Sequence, residues 1–113
     1  MQIPNAHRAV IEPMKLHRYL LSGSHSLGRF KAAFFLALGY SVEDWPLLEA
    51  DLRSQHLPQD ATLGERTLYG QKYTIRATLV GPLGRSADVV SAWVVRPGED
   101  FPRFVTAYPE GGR

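Results

Sequence analysis

The chain contains no cysteine among its 113 residues. That single absence excludes a disulfide framework, a thiolate metal site and a thiol nucleophile. Long apolar runs are missing as well: the longest, Ala32 to Leu38, is far too short to cross a bilayer. The opening "MQIPNAHRAV" lacks a charged segment followed by an apolar one, so no secretory leader is expected. A cytoplasmic protein without membrane contact is the resulting expectation. Neither sign of charge dominates, with 13 Lys and Arg against 11 Asp and Glu for a net +2. Glycine-rich phosphate loops, HExxH and GxSxG are all absent. The four histidines, His7, His17, His25 and His56, have no spacing that sets two of them on one helical turn, so neither a metal site nor a cofactor is expected.

What is present belongs to an ordinary globular protein: 44% apolar, 11% aromatic and 21% charged residues, at a length suited to one domain spanning residues 1–113. Charge is unevenly placed. The first forty residues hold Arg8, Lys15, Arg18, Arg29 and Lys31 against the single acid Glu12, whereas Glu43, Asp44, Glu49 and Asp51 follow without a base among them. Such asymmetry suits an N-terminal face that meets an anion and an acidic helix turned to solvent, or two solvated faces of opposite sign.

Helical spacing predicts a short helix from Pro13 with Leu16, Tyr19 and Leu20 on one face, ending at Gly23. A second is predicted from Ser26 or Leu27 to Leu38, with Phe30, Phe34, Ala37 and Leu38 buried and Gly39 as its stop. Ser41 with Asp44 caps a third, "VEDWPLLEADLRSQ", in which Pro46 falls near the first turn. The pattern then changes. "LPQDATLGERTLYGQ" is loop-like with a short strand near Glu65 to Tyr69, and "KYTIRATLV" alternates, with Tyr73, Ile75, Ala77 and Leu79 on one side. "GPLGR" turns the chain into "SADVVSAWVV", apolar enough for a central strand covered on both faces. After the "RPGED" turn, "FPRFVTAYP" is predicted as a strand whose Phe104, Thr106 and Tyr108 share a face. The expectation is an α+β fold, two or three N-terminal helices at about 13–56 packed on a three- to four-stranded antiparallel sheet at about 65–108.

The chemistry left open needs only imidazole, cations, hydroxyls and a phenol. Metal-independent RNA cleavage is one such chemistry, since the ribose 2′-OH attacks the neighbouring phosphate and the protein supplies acid, base and cations. His25 precedes a helix start, with Arg29 and Lys31 within two turns of it. Tyr69, Lys72, Arg76, Arg103, Thr106 and Tyr108 can add charge or hydrogen bonds from the sheet. Arg85, in a turn, reads equally as a phosphate contact or a solvated charge. Taken alone, His25 in a Ser/Gly loop also reads as a solvated surface residue.

The order of motifs adds information. "NAHRAVIEPMKLHRYLLSGSHSLGRFKAAFFLALGYSVEDWPLL", "YGQKYTIRATLVGPLGRSADVVSAWVV" and "PGEDFPRFVTAYP" together resemble a bacterial family filed as a domain of unknown function. Its members read N-A-x-x-A-V-I, K-L-x-x-Y-L-L, H-P-x-G-x-x-K-A, Y-G-x-x-Y, G-P-x-G-R, W-x-x-x-P-G and P-R-x-x-T-x-Y in that order. Ser26 stands here where the family has proline. Such domains occur as free-standing toxins beside a small partner, in a toxin–antitoxin arrangement, and as C-terminal domains of contact-dependent toxins. Their fold is thought to belong with the barnase, EndoU, colicin and RelE ribonucleases.

The resemblance implies a toxin aimed at RNA or DNA, neutralised by a small cognate antitoxin encoded next to it. The family positions here are His25, Gly28, Lys31, Tyr69, Gly70, Tyr73, Arg85, Trp93, Arg103, Thr106 and Tyr108. Among them His25 is implied as base or acid, Lys31 and Arg103 as holding the phosphate, and Thr106 and Tyr108 as orienting it. Arg29, Tyr69, Lys72, Arg76 and Arg85 are expected to bind nucleic acid. The alternative is a toxin that binds DNA or a replication or translation protein and blocks it without cleavage.

Overall fold

Local sequence sets the helical half. The computed structural model describes residues 1–21 and 29–111, without the side chains of Arg18, Tyr19, Arg29 and Phe30. Pro13 opens a helical stretch that continues as a π-helix over Lys15–Leu20 and buries Leu16 and Leu20. Helix α1 covers Arg29–Ala37. It ends in a Schellman arrangement, with Tyr40 N–H donating to Phe35 carbonyl at 3.0 Å and Gly39 N–H to Leu36 carbonyl at 2.9 Å. Gly39 adopts φ +105° there, a conformation that glycine takes without a Cβ penalty.

The buried stripe of α1 is Ala32, Phe35 and Leu38, with Phe34 half-buried and Ala37 exposed. Of the expected stripe Leu38 is buried and the Phe30 side chain lies outside the described residues. Phe35, however, takes the inward place expected of Phe34 and Ala37, because two adjacent phenylalanines satisfy the apolar pattern equally and tertiary packing selects one. Ser41 N–H donates to the Asp44 carboxylate at 2.9 Å, closing the expected cap. A 3-10 turn over Val42–Asp44 then leads into helix α2, Trp45–Asp51, and a π-helical turn over Leu52–His56. Pro46 sits in the first turn of α2, where no intrahelical donor is lost. Leu48, Leu52 and His56, at four-residue spacing, face inward. Asp51 is not simply solvated: it accepts a hydrogen bond from the Tyr40 hydroxyl.

The second half is an antiparallel meander in the order β1-β2-β3-β4: β1 Ala61–Thr67, β2 Gly70–Val80, β3 Ser86–Val95 and β4 Pro102–Pro109. The α+β expectation therefore holds, with the helices preceding a four-stranded sheet. The first strand begins earlier than expected, at Ala61, and Tyr69 lies in the two-residue turn after it. The helical layer covers one face of the sheet, where Leu16, Leu20, Phe35, Leu48 and Leu52 meet Ile75, Leu79, Val89, Trp93 and Phe104. Among the described residues no helix is long and apolar enough to cross a membrane.

One irregularity re-aims the side chains of β4. Trp93 pairs with Phe104, but Ala92 pairs with Thr106, so Val105 is an extra residue in that strand. A bulge of this kind inverts the alternation on either side of it. Phe104 consequently points into the core against Trp93, with ring centroids 5.3 Å apart, while Thr106 and Tyr108 belong to the opposite face. The expected shared face of Phe104, Thr106 and Tyr108 is thus divided by the bulge.

Candidate functional site

The face of the sheet away from the helices is organised by strand register. Lys72, Val94 and Arg103 form one cross-strand row, Thr74, Ala92 and Thr106 the next, and Arg76, Val90 and Tyr108 the third. Neighbouring strands lie about 4.8 Å apart, so the β2 and β4 members of a row stand about 10 Å from each other. Lys72, Arg76 and Thr78 are turned outward, because the period of two that buries Tyr73, Ile75 and Leu79 sends these residues to the other face.

Helix α1 lies against β4 and delivers a cation to the edge of this face. Lys31 Nζ donates to Thr106 Oγ1 at 3.0 Å and sits 5.9 Å from the centre of the Tyr108 ring. Three elements of local structure make that meeting: the helical phase that buries Ala32 and Phe35 and leaves Lys31 at the boundary, the pairing of β4 with β3, and the Val105 bulge that turns Thr106 outward. A hydroxyl accepting from an ammonium keeps its own proton to donate, so Thr106 can pass a hydrogen bond onward to an anion.

Two neighbouring cations on this face, Arg103 and Arg76, are paired with carboxylates. Arg103 Nε and Nη2 both donate to Glu99 at 2.9 Å in a bidentate pair, with Glu12 3.9 Å away and the Phe101 ring 5.3 Å from the guanidinium carbon. Those hydrogen bonds hold the Glu99 carboxyl below the usual carboxylate range and push Arg103 up. Arg76 Nη1 lies 3.4 Å from Glu110.

The structure therefore brings Lys31, Lys72, Arg76, Arg103, Thr106 and Tyr108 to one face. Tyr69 and Arg85 are off it, in the turns at opposite ends of β2. Arg85 Nη1 donates to Ala37 carbonyl at 3.1 Å and so caps the end of α1. His25 lies outside the described residues, as does the Arg29 side chain.

Sequence reasoning missed Glu99 and Glu12 as partners of Arg103. The Glu99–Arg103 spacing is a usable signal, but on a turn and strand it reads less plainly than on a helix. It also missed the buried trio on the other face: His56 Nδ1 lies 2.8 Å from Ser91 Oγ, and Trp93 Nε1 donates to the same oxygen at 2.9 Å.

Architecture and site together define a class: an α+β protein with helices on one face of a four-stranded meander, and on the other face a lysine, a threonine and a phenol gathered at the β4 edge beside further cations. The family described as "Domain of unknown function (DUF6883)" matches residues 2–111, and the chain belongs to it. Among solved structures, a chain of the "Contact-dependent growth inhibition toxin - immunity protein complex from Klebsiella pneumoniae 342" is similar, with a TM-score of 0.63 and 18% identity over 95% of this chain and 97% of that one. At that identity the likeness is one of fold. Comparison with curated proteins gives no match.

Proposed function

We propose that this chain is a bacterial toxin domain that acts in the cytoplasm and cleaves RNA without a metal, held in check by a small cognate protein. The toxin reading is supported by family membership and by the shared fold with a chain from a toxin–immunity protein complex. We also read the fold as one with the barnase, EndoU, colicin and RelE ribonucleases. The observation that carries the chemistry is the 3.0 Å hydrogen bond that fixes Lys31 Nζ on Thr106 beside the Tyr108 ring. A preorganised ammonium with a hydroxyl bonded to it and a tyrosine ring beside it is suited to the negative charge that develops on a phosphate oxygen during transfer.

In this reading an RNA strand runs across the face with flanking phosphates on Lys72 and Arg76. The ribose 2′-OH attacks the adjacent phosphorus, the bond to the 5′ oxygen breaks, and a 2′,3′-cyclic phosphate forms. His25 serves as proton acceptor or donor. Lys31 balances the non-bridging oxygen, and Thr106 and Tyr108 orient it. Arg103 reinforces the phosphate site when the anion shares its guanidinium with Glu99.

The test is incubation of the purified chain with total RNA and with plasmid DNA in EDTA. RNA fragments ending in 2′,3′-cyclic phosphate, with DNA left intact, are expected. A folded chain that leaves both polymers whole yet binds DNA with an affinity falling steeply with salt would replace this reading by a blocking toxin.

A further inference from the structure

Among the described residues strand β1 is one edge of the sheet, paired only with β2. The opposite edge is partly closed, since Val10 N–H donates to Pro102 carbonyl and Phe104 N–H donates to Val10 carbonyl, each at 2.9 Å. At β1 the corresponding cover stops at the first residue, where Ala61 N–H donates to the Met1 carbonyl. That bond shows the Ala61 amide pointing away from β2. By the two-residue period of an antiparallel ladder, the Leu63 amide and carbonyl point the same way. Among the described residues no backbone group meets them, and every residue from Thr62 to Arg66 is exposed.

Beside this edge, on the helix side of the sheet but past the helices, lies a cavity of about 410 Å³. Leu63, Tyr73 and Val95 supply apolar lining, and Arg66 and Arg96 supply charge. The two carboxylates that also line it are already engaged, Glu99 by Arg103 and Asp100 by Arg8. What remains is a positive, partly apolar groove that opens along an unpaired strand. Leu63 is 57% exposed there, and the adjoining turn holds out Leu68 at 94% and Tyr69 at 81%. Each of these features is costly to leave in water or prone to unwanted pairing unless something covers it.

We propose that β1 is a docking edge for an extended, acidic and apolar segment of a partner protein, which adds as a fifth strand and sets alternate side chains into the Arg66–Arg96 cavity. Main-chain bonds to Leu63 give this contact its affinity. The cavity gives it specificity, because side chains two apart on an added strand fall on the same face as Leu63. The partner meant is the neutralising protein of the toxin reading, and the inference rests on that reading for the partner's existence. The edge lies on the other side of the sheet from Lys31 and Thr106.

The test pans a random peptide phage library on the full chain and measures the enriched peptides by fluorescence anisotropy. Peptides alternating acidic and apolar residues are expected. Leu63→Pro removes the outward amide while sparing the ladder to β2, and Arg66→Glu with Arg96→Glu reverses the cavity charge. Each variant should weaken binding at least about tenfold, a loss of about 1.4 kcal/mol, and the Leu63 amide should exchange more slowly in the complex. Should Leu63→Pro not fold, the arginine pair and the exchange measurement decide. No enrichment, or peptides indifferent to these changes, overturns the proposal. So does an oligouridylate that binds the chain and loses affinity in the arginine variant, since the cavity would then hold RNA. Cleavage is not read in this experiment, so a chain that cuts RNA yet selects no peptide overturns the docking edge alone.

Discussion

Replacing Ser91 with alanine should unpick the core beneath the candidate site. His56 is fully buried, its Nε2 3.1 Å from the Ala77 carbonyl and its Nδ1 2.8 Å from Ser91 Oγ. A carbonyl only accepts, so Nε2 carries the proton and Nδ1 is a bare acceptor. The Ser91 hydroxyl donates to Nδ1 and accepts from Trp93 Nε1 at 2.9 Å. The chain Trp93, Ser91, His56, Ala77 therefore closes with every donor and acceptor used. Ser91→Ala strands the Trp93 N–H and the His56 Nδ1 in the core at about 1–3 kcal/mol each, or about 2–6 kcal/mol together.

Urea denaturation at neutral pH reads that cost directly. A pH arm checks the same network. Burial lowers the His56 pKa, only partly offset by the bond to Ala77. The folded state therefore binds the proton less readily than the unfolded chain. Stability from this group is full above the unfolded value of about 6.5 and falls below it, by at most about 1.4 kcal/mol per pH unit, until the folded-state pKa is reached. The slope just below pH 6.5 should disappear in His56→Gln. A Ser91→Ala cost under about 1 kcal/mol, or an unchanged slope in His56→Gln, would refute the reasoning.

Three further outcomes rest on packing. Phe35→Ala should cost about 3–5 kcal/mol in urea titration because Phe35 is fully buried, and Phe34→Ala distinctly less. Both Gly70 and Gly84 have positive φ, yet a Cβ at Gly70 would meet the Val95 carbonyl at 2.1 Å whereas one at Gly84 meets none of the described residues within 4 Å. Gly84→Ala should lose about 1–2 kcal/mol of stability, and Gly70→Ala about 1–3 kcal/mol more. Arg85→Ala should lower stability by about 0.5–1.5 kcal/mol through the lost cap on Ala37. The salt dependence of RNA binding should not change in that variant, whereas loss of a phosphate contact would reduce its slope by about one.

Much of the fold is legible in the sequence because its signals are local. The alternation of Tyr73, Ile75 and Leu79, the turn glycines and the Ser41–Asp44 cap each need only a few residues to declare themselves. Strand β1 reads short because Thr62 to Arg66 are exposed on both sides, which leaves no apolar alternation to detect. The Val105 bulge has no sequence signature, so alternation alone groups Phe104 with Thr106 and Tyr108, and only the pairing with β3 separates them. For the site, strand period is enough to turn Lys72 and Arg76 outward. The meeting of Lys31 with Thr106 spans 75 positions, a contact that no local pattern encodes, and only the family motif groups the two. His56 carries no signal, since its partners Ser91 and Ala77 are supplied by the sheet.

The most direct measurement of the central claim is the single-turnover RNA cleavage rate, in EDTA, of the chain and of its Lys31→Ala variant, with circular dichroism confirming that both fold alike. Lys31 sits on the surface-facing boundary of α1, so its loss should leave the core intact. Removing one preorganised charge from the developing phosphate should slow cleavage about 100- to 1,000-fold while RNA still binds through Lys72 and Arg76. A folded Lys31→Ala variant that cleaves at the parent rate would contradict the account.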